Sequence, residues 1–499
     1  MATATPVTND TLGYLREQLQ RALVTPVRAF RLAYLPLLMI YFAYGALGLI
    51  GVAETFWVRK ALTLTPADLA ALAVWLTLPW AIKMVFGELV DTVPILGSQR
   101  RVYVFIGAGM IAASLLLLAG TSAGWITFAD ANALYVAASL LTVVGVVVQD
   151  VVADAMSTEV VPRIEADGTP RPQADIDRDL GMVQVLGRLA LSLGIFAVAG
   201  LSGWLAQVLP YHTVFLLGLA IPVISITGAL LVRLETSEKR ATDWRILGGG
   251  LAFGAAVVLI ALANIPFNQE VIFLISMAVV CTMLARVTAG IDPATRKRIF
   301  YAALVIYAFR ATPTAGEGYR WFTIDRLGFD EAFFGVLQQT GAALGLASAW
   351  LLSDAITRQP VARVLLWLTI AGGILGIPTL MLVNGVHEWT EQAFGLGARG
   401  IALIDAAAAS PLLQVSMIPL LTLTAIYAPP SHRATWFALM ASFMNLALIA
   451  GQIQTKYLNL LFAVDRGAYE GLPGLVLTVV VIGLAVPLAA ILWLGPRIR

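Results

Sequence analysis

Seven ionisable residues stand inside apolar runs, where each costs roughly 2.5–3.5 kcal/mol on membrane-insertion scales and so calls for a reason. Asp150 and Asp154 are four positions apart in one run. On a helix they share a face, and like charges stacked there favour proton uptake by one of them unless a cation intervenes. That pattern suits proton coupling, or a gate ion pair with Lys83 or Arg188. Lys83, about two turns before Asp91, can grip a solute carboxylate or pair with Asp150 and Asp154. Arg188, one turn after Gln184, and Arg310 lie in two further runs. A guanidinium is always charged, and its planar fork meets a carboxylate through two hydrogen bonds. Lys83, Arg188, Arg310 and Gln184 are therefore the expected solute-binding set. Glu54 and Glu317 are expected to gate an outer mouth or carry a proton, or else to sit at the interface beside Arg59 and Arg320. Tyr41, Tyr44, Trp80, Tyr307 and Trp321 can stack on a flat ring, although packing is the commoner use of membrane aromatics.

The elements that must position these groups repeat. The stretch from Glu54 to Arg100 returns without a gap, so that Glu54 matches Glu317, Asp68 matches Glu331, Asp91 matches Asp354 and Arg100 matches Arg363. Each copy closes an apolar helix, crosses a short loop, runs through a second apolar helix and ends in an Asp-then-Arg turn. Two homologous halves in a hydrophobic chain predict a transporter whose halves rock about a central site.

Composition agrees. The 499 residues are 59% hydrophobic and 12% charged, which excludes an ordinary soluble domain. A net charge of +2 without a basic, aromatic-laced cluster gives no nucleic-acid signal. One cysteine and three scattered histidines leave no disulfide framework and no metal or cofactor site. About fourteen runs have spanning length, grouped six, two and six. The expected organisation is a cytoplasmic segment over 1–31 with an interfacial helix, a six-helix bundle over 32–233, and a linker over 234–298 with two inserted helices. A second six-helix bundle follows over 299–499. No cleavable leader is expected. Roughly 22 of the 32 Lys and Arg fall in loops and tails on the N-terminal side, which puts both termini in the cytoplasm of an inner or plasma membrane. The longest polar loop, about 157–179, is then cytoplasmic too. Pro313 and Gly316 should interrupt the seventh span as a hinge, and Pro411 and Pro419 can do the same in the tenth.

Gly87, Asp91, Arg100 and Arg101 stand between the second and third spans, with Asp354 and Arg363 at the repeated turn. The first four resemble the Gly-x-x-x-Asp…Arg-Arg loop of the major facilitator superfamily, the glycine allowing close helix approach, and both the Asp91/Arg100 and the Asp354/Arg363 turns are expected to act as cytoplasmic latches. Gly45-Ala-Leu-Gly48, Leu78-Pro-Trp-Ala-Ile-Lys83, Gln149-Asp150-Val-Val-Ala-Asp154, Arg310-Ala-Thr-Pro313, Leu327-Gly-Phe329 and Ala434-Thr-Trp-Phe-Ala438 extend the likeness from about residue 32 to 451. Together they resemble the folate–biopterin transporter family of that superfamily. The resemblance implies an all-α polytopic membrane protein with the major-facilitator fold, which carries folates, pterins or similar solutes. The two inserted helices, and the charges at Arg310, Glu317 and Arg320, depart from the family pattern.

The expected activity is thus secondary active transport by alternating access. A monomer in the bilayer would couple protons to a folate- or pterin-like anion. No Walker-type phosphate loop is present, so an ion or solute gradient supplies the energy. Competing readings keep the fold and change the solute to another organic anion, a peptidoglycan fragment or a drug, or make the chain a non-transporting assembly factor. An enzyme is not expected, because no nucleophile or acid–base set converges.

Overall fold

The computed structural model describes Gly13 and residues 30–98, 100–165, 167–231, 244–263, 265–357, 359–428 and 433–498. Among them the chain is helical, and the β geometry is limited to three isolated bridges in turns. The first run forms α1 (Leu35–Ala46) and α2 (Gly51–Ala61), joined by a 3-10 turn. The second forms α3 (Pro66–Ala81) and α4 (Lys83–Thr92), bent by 40° at Ile82. Pro79, one turn before the break, removes a backbone donor and crowds the preceding turn. Then come α5 (Arg101–Ser122), α6 (Ala131–Glu159), α7 (Gln173–Val208), and the pair α8 (Tyr211–Leu217) and α9 (Ala220–Leu231). The inserted pair is α10 (Trp244–Leu262) and α11 (Asn268–Val287). The remainder is α12 (Pro293–Arg310), α13 (Gly316–Asp325), α14 (Glu331–Thr357), α15 (Val361–Val383), the short α16 (Val386–Phe394), α17 (Ala398–Ile426), α18 (Arg433–Leu461) and α19 (Leu472–Leu494). Ten of these helical stretches are long and apolar enough to cross a membrane, and the bent α3–α4 pair makes an eleventh. Helices α10, α12–α13 and α14 occupy the remaining expected runs.

Local chemistry starts the helices where the loops end. Thr65 and Asp68 form a capping box before α3, and the Asp130 and Asp292 side chains accept the first free N–H groups of α6 and α12. Lipid is as apolar as leucine, so small residues, not hydrophobicity, bring helices together. A Cβ on Gly45 would lie 2.1 Å from Leu191 O, and one on Gly194 2.3 Å from Phe42 O, so α1 and α7 touch backbone to backbone. Gly203 and Gly335 do the same where α7 meets α14, and α3 packs along α18. These last two contacts join the repeat-related halves.

The inserted helices pack on the body. Gly250 of α10 faces Val85 of α4, and α11 lies against α18. Lys456 pairs with Glu270 of α11 at 3.1 Å and donates to Gln269 at 2.9 Å. Tyr457 donates to the same carboxylate at 2.8 Å. The expected interfacial helix falls outside the described residues. The polar loop is shorter than expected, because α6 runs through Glu159 and α7 starts at Gln173. The α17 helix continues through Pro411 and Pro419, which therefore make no break.

Candidate functional site

One cluster of charge lies within the first half. The bend at Ile82 puts Lys83 at the start of α4, where its ammonium pairs with both Asp150 and Asp154 of α6. Asp154 also accepts from Tyr41 OH at 2.7 Å. Tyr44 stacks on Trp80 with ring centroids 5.9 Å apart, and Lys83 Nζ lies 6.0 Å from the Trp80 ring. Gly187 leaves room for Tyr41, since a Cβ there would come within 2.9 Å of the ring. Arg188 follows it, exposed and with no ion pair or side-chain hydrogen bond among the described residues. Gln184 donates to Ser157 Oγ at 2.8 Å, which anchors α7 to α6. Of the expected solute-binding set, Lys83 is thus held by carboxylates and Gln184 by a hydroxyl, while Arg188 is open.

The second half contributes Arg310, the last residue of α12 before the break. Its guanidinium is half-buried. Nη1 lies 3.1 Å from the Met417 sulfur, and buried Nε has no hydrogen-bond partner. Asp292 and the other acids of the described residues make no ion pair with it. A cation left this way inside a membrane protein is expensive, and an anion from outside the chain would relieve it. The break after Arg310 is where Pro313 and Gly316 predict it, with Gly316 at φ +65°. The freed backbone groups do not face open space, however. Gln454 donates to Ala311 O at 2.7 Å and Thr455 Oγ1 accepts from Thr314 N at 3.0 Å, both from α18. The break is therefore closed by side chains, as broken membrane helices require. From the same helix, Asn445 donates to Trp80 O at 3.2 Å, linking the two halves beside the aromatic pair.

Glu54 and Glu317 lie in one electrostatic neighbourhood with Arg320. Glu54 accepts from Tyr135 OH at 3.0 Å, and Glu317 pairs with Arg320 at 2.9 Å. Arg59, the expected partner of Glu54, is engaged elsewhere. It bonds Asp325 at the end of α13, and Tyr469 OH donates to the same carboxylate. Arg466 reaches from after α18 to three carbonyls of the first half, Val58, Arg59 and Leu64, at 2.7–2.9 Å. Trp321, fully buried, sits between the Arg59 and Arg466 guanidinium groups at 5.4 and 4.7 Å. Lys60 and Tyr211 bond Glu331 at 2.9 and 2.7 Å. This end of the molecule is closed by ionic and aromatic contacts between the halves. At the opposite end, no ion pair among the described residues joins them.

That opposite end carries the Asp91 turn. Arg100 pairs with Asp91 at 2.8 Å, holds Glu159 of α6 through two nitrogens at 2.5 and 3.2 Å, and donates to Val90 O. Burial disfavours the Arg100 charge, but Glu159 and Asp91 outweigh it and hold its pKa above the ordinary value. Arg101 donates to Ala229 O at 3.0 Å, which ties α5 to α9. Gly87 faces open space, so the close approach expected there is absent. In the repeated turn, Arg363 donates to Gln359 at 3.3 Å, and the Asp354 side chain lies outside the described residues.

Sequence reasoning passed over Glu159, Asp325, Tyr469, Arg466 and Tyr211. Glu159, Asp325 and Tyr211 stand at helix ends, and Arg466 and Tyr469 in the turn before α19, where charges and phenols are ordinary, so no spanning-run argument flags them. The match of Asp68 to Glu331 marked one partner of Tyr211 as part of the repeat, but gave no sign of Tyr211 itself.

A curated folate-biopterin transporter of Synechocystis sp. is 27% identical over 85% of this chain and 75% of its own length. A probable folate-biopterin transporter of Arabidopsis thaliana is 23% identical over 89% and 92%. A folate transporter of Plasmodium falciparum is 21% identical over 83% and 78%. Among solved structures, a POT family transporter in complex with 5-aminolevulinic acid superposes with a TM-score of 0.64, at 13% identity, over 94% of this chain and 96% of that one. The nucleoside transporter NupG gives 0.61 at 12% identity, over 92% and 99%. These likenesses place the all-helical chain in the major-facilitator fold. With the profile of the BT1 family matching residues 45–498, the chain belongs to the BT1 family of membrane transporters.

Proposed function

We propose that this chain carries folate- or pterin-like anions by alternating access, coupled to protons. The observation that carries the reading is Arg310, a membrane-embedded guanidinium whose buried Nε has no partner. The relatives' names supply the solute class. In this reading Arg310 takes a solute carboxylate from the second half, and Arg188 meets the solute from the first. The Tyr44–Trp80 stack offers a flat face for the ring. Lys83 between two aspartates leaves the triad with one net negative charge. One proton neutralises the triad and loosens the hold of Asp154 on Lys83, so that solute and proton act on one ammonium.

The closed end would be the outer one, by the Lys/Arg bias, with both termini in the cytoplasm. Opening it requires breaking the Arg59–Asp325–Tyr469 and Lys60–Glu331–Tyr211 contacts. Binding can drive this only through a difference in affinity between the two states. The boundaries at about 233 and 299 would separate the two rocking bundles from the inserted helices, and the Asp91–Arg100–Glu159 turn would latch the inner end. The test is calorimetric binding of folate and biopterin to the purified chain, with Asp154→Asn and Arg188→Ala beside the wild type. Folate binding that weakens in Arg188→Ala, and loses its proton uptake in Asp154→Asn, supports the reading. No binding of either compound by folded protein overturns the solute class.

A further inference from the structure

We infer that the groove between the inserted helix α11 and the body is a built site for an anionic phospholipid, its headgroup at Arg296 and Lys297 and an acyl chain along α11. A cavity of about 800 Å³ lies between α11, α12 and α18. Its walls are apolar, with Phe273, Met277, Leu284, Phe300, Trp436 and Met440 among them. From Phe273 to Thr288 the lining follows α11 for roughly 22 Å, at 1.5 Å per residue, against about 30 Å for a bilayer core. That is the shape of an extended chain, not of a compact solute. The charge is all at one end, where Arg296 and Lys297 line the mouth beside the start of α12. Neither makes an ion pair among the described residues, and no acidic side chain lines the cavity. Asp292, four residues before Arg296, has its carboxylate occupied with the N–H groups of Ala294 and Thr295.

Exposed apolar side chains lie on the helices that form the groove. Phe300, which lines the cavity, is 59% exposed, and Leu274 of α11 is 63% exposed, apolar surface of the kind that acyl chains cover. Water would leave such a groove poorly solvated, and a neutral tail would leave the two cations unmatched. A basic mouth over an apolar slot between membrane helices fits an anionic headgroup with its own tail. The Lys456–Glu270 pair fastens the other end of α11, so the lipid would complete the contact between the inserted helix and the body.

The test uses the full chain purified in detergent and titrated with phosphatidylglycerol or phosphatidylcholine, with bound lipid counted by native mass spectrometry. Wild type should retain phosphatidylglycerol more tightly than phosphatidylcholine. Arg296→Gln with Lys297→Gln should lower that preference on the order of thirtyfold, at about 1 kcal/mol per cation. Ala303→Phe, which fills the groove and leaves the charges, should also expel the lipid while the melting temperature holds. Equal retention of both lipids overturns the proposal, as does insensitivity to either variant. Displacement by inorganic phosphate at millimolar concentration would show a bare anion site and overturn it. A co-purifying protein seated on α11 in place of lipid would do so as well.

Discussion

Replacing Arg310 by methionine tests whether its charge exists for the solute. Among the described residues, the Arg310 side chain's hydrogen bond is to the Met417 sulfur, and its Nε is buried without a partner. If the charge served the fold, its loss would break an internal pair, and none is present among the described residues. Methionine has similar length and adapts to irregular gaps, and it removes an insertion penalty of about 2.5–3.5 kcal/mol. The melting temperature of the empty protein should therefore hold or rise. Truncating one partner of a buried, hydrogen-bonded charge pair costs roughly 2–5 kcal/mol, which is about thirtyfold to a few thousandfold in affinity. The assay is uptake of labelled folate into proteoliposomes, with biopterin, which lacks the tail carboxylates, as the control. Folate KM should rise by at least thirtyfold in Arg310→Met, and biopterin should change little. Arg310→Lys keeps the charge without the fork and should fall between. Unchanged folate KM in a stable Arg310→Met protein would refute the reasoning.

Other expectations follow from the same geometry. Gly194→Ala drives a methyl into the Phe42 carbonyl at 2.3 Å and should lose at least 1–3 kcal/mol of stability, whereas Gly87→Ala meets nothing within 4 Å and should stay within about 0.5 kcal/mol. Thermal unfolding in detergent separates the two. Asp325→Asn strips the carboxylate from Arg59 and Tyr469 and should open the closed end, read as faster labelling of an engineered cysteine there, with about 1–3 kcal/mol lost. Asp330 is pushed up by burial but pulled further down by the Phe333 N–H and by Arg399, so its carboxyl titrates below its ordinary value. A depressed carboxyl stabilises the fold above its unfolded pKa, and that contribution fades as pH falls through the folded one. Asp330→Asn should remove this acid sensitivity from the melting curve, by about 1 kcal/mol or less at this partly exposed position.

The spans and their repeat were legible because hydrophobic length and charge spacing are local properties. The break at Pro313 and Gly316 was legible for the same reason, since both residues act on their own backbone. The bend at Ile82 was harder to read, because Pro79 lies inside a helix that continues past it. The Lys83–Asp150–Asp154 triad was foreseen as one of two alternatives, and the structure brings those three together. What the sequence hid is long-range. Asp325 gives no sign that its partners lie at Arg59 and Tyr469, because nothing local encodes which helix ends meet. Gly87 faces open space, because a glycine permits close approach without compelling it. Lys456 gives no local sign that α11 brings Glu270 to it.

Central to the account is coupled movement of an anion, and gradient-driven accumulation measures it directly. Wild-type protein in proteoliposomes would be given labelled folate, with and without an inward proton gradient. Accumulation above the outside concentration, collapsed by a protonophore and lost in Asp154→Asn, is the predicted result. Uptake that only equilibrates and ignores the gradient would contradict the coupling, and no uptake by folded protein would contradict the solute assignment.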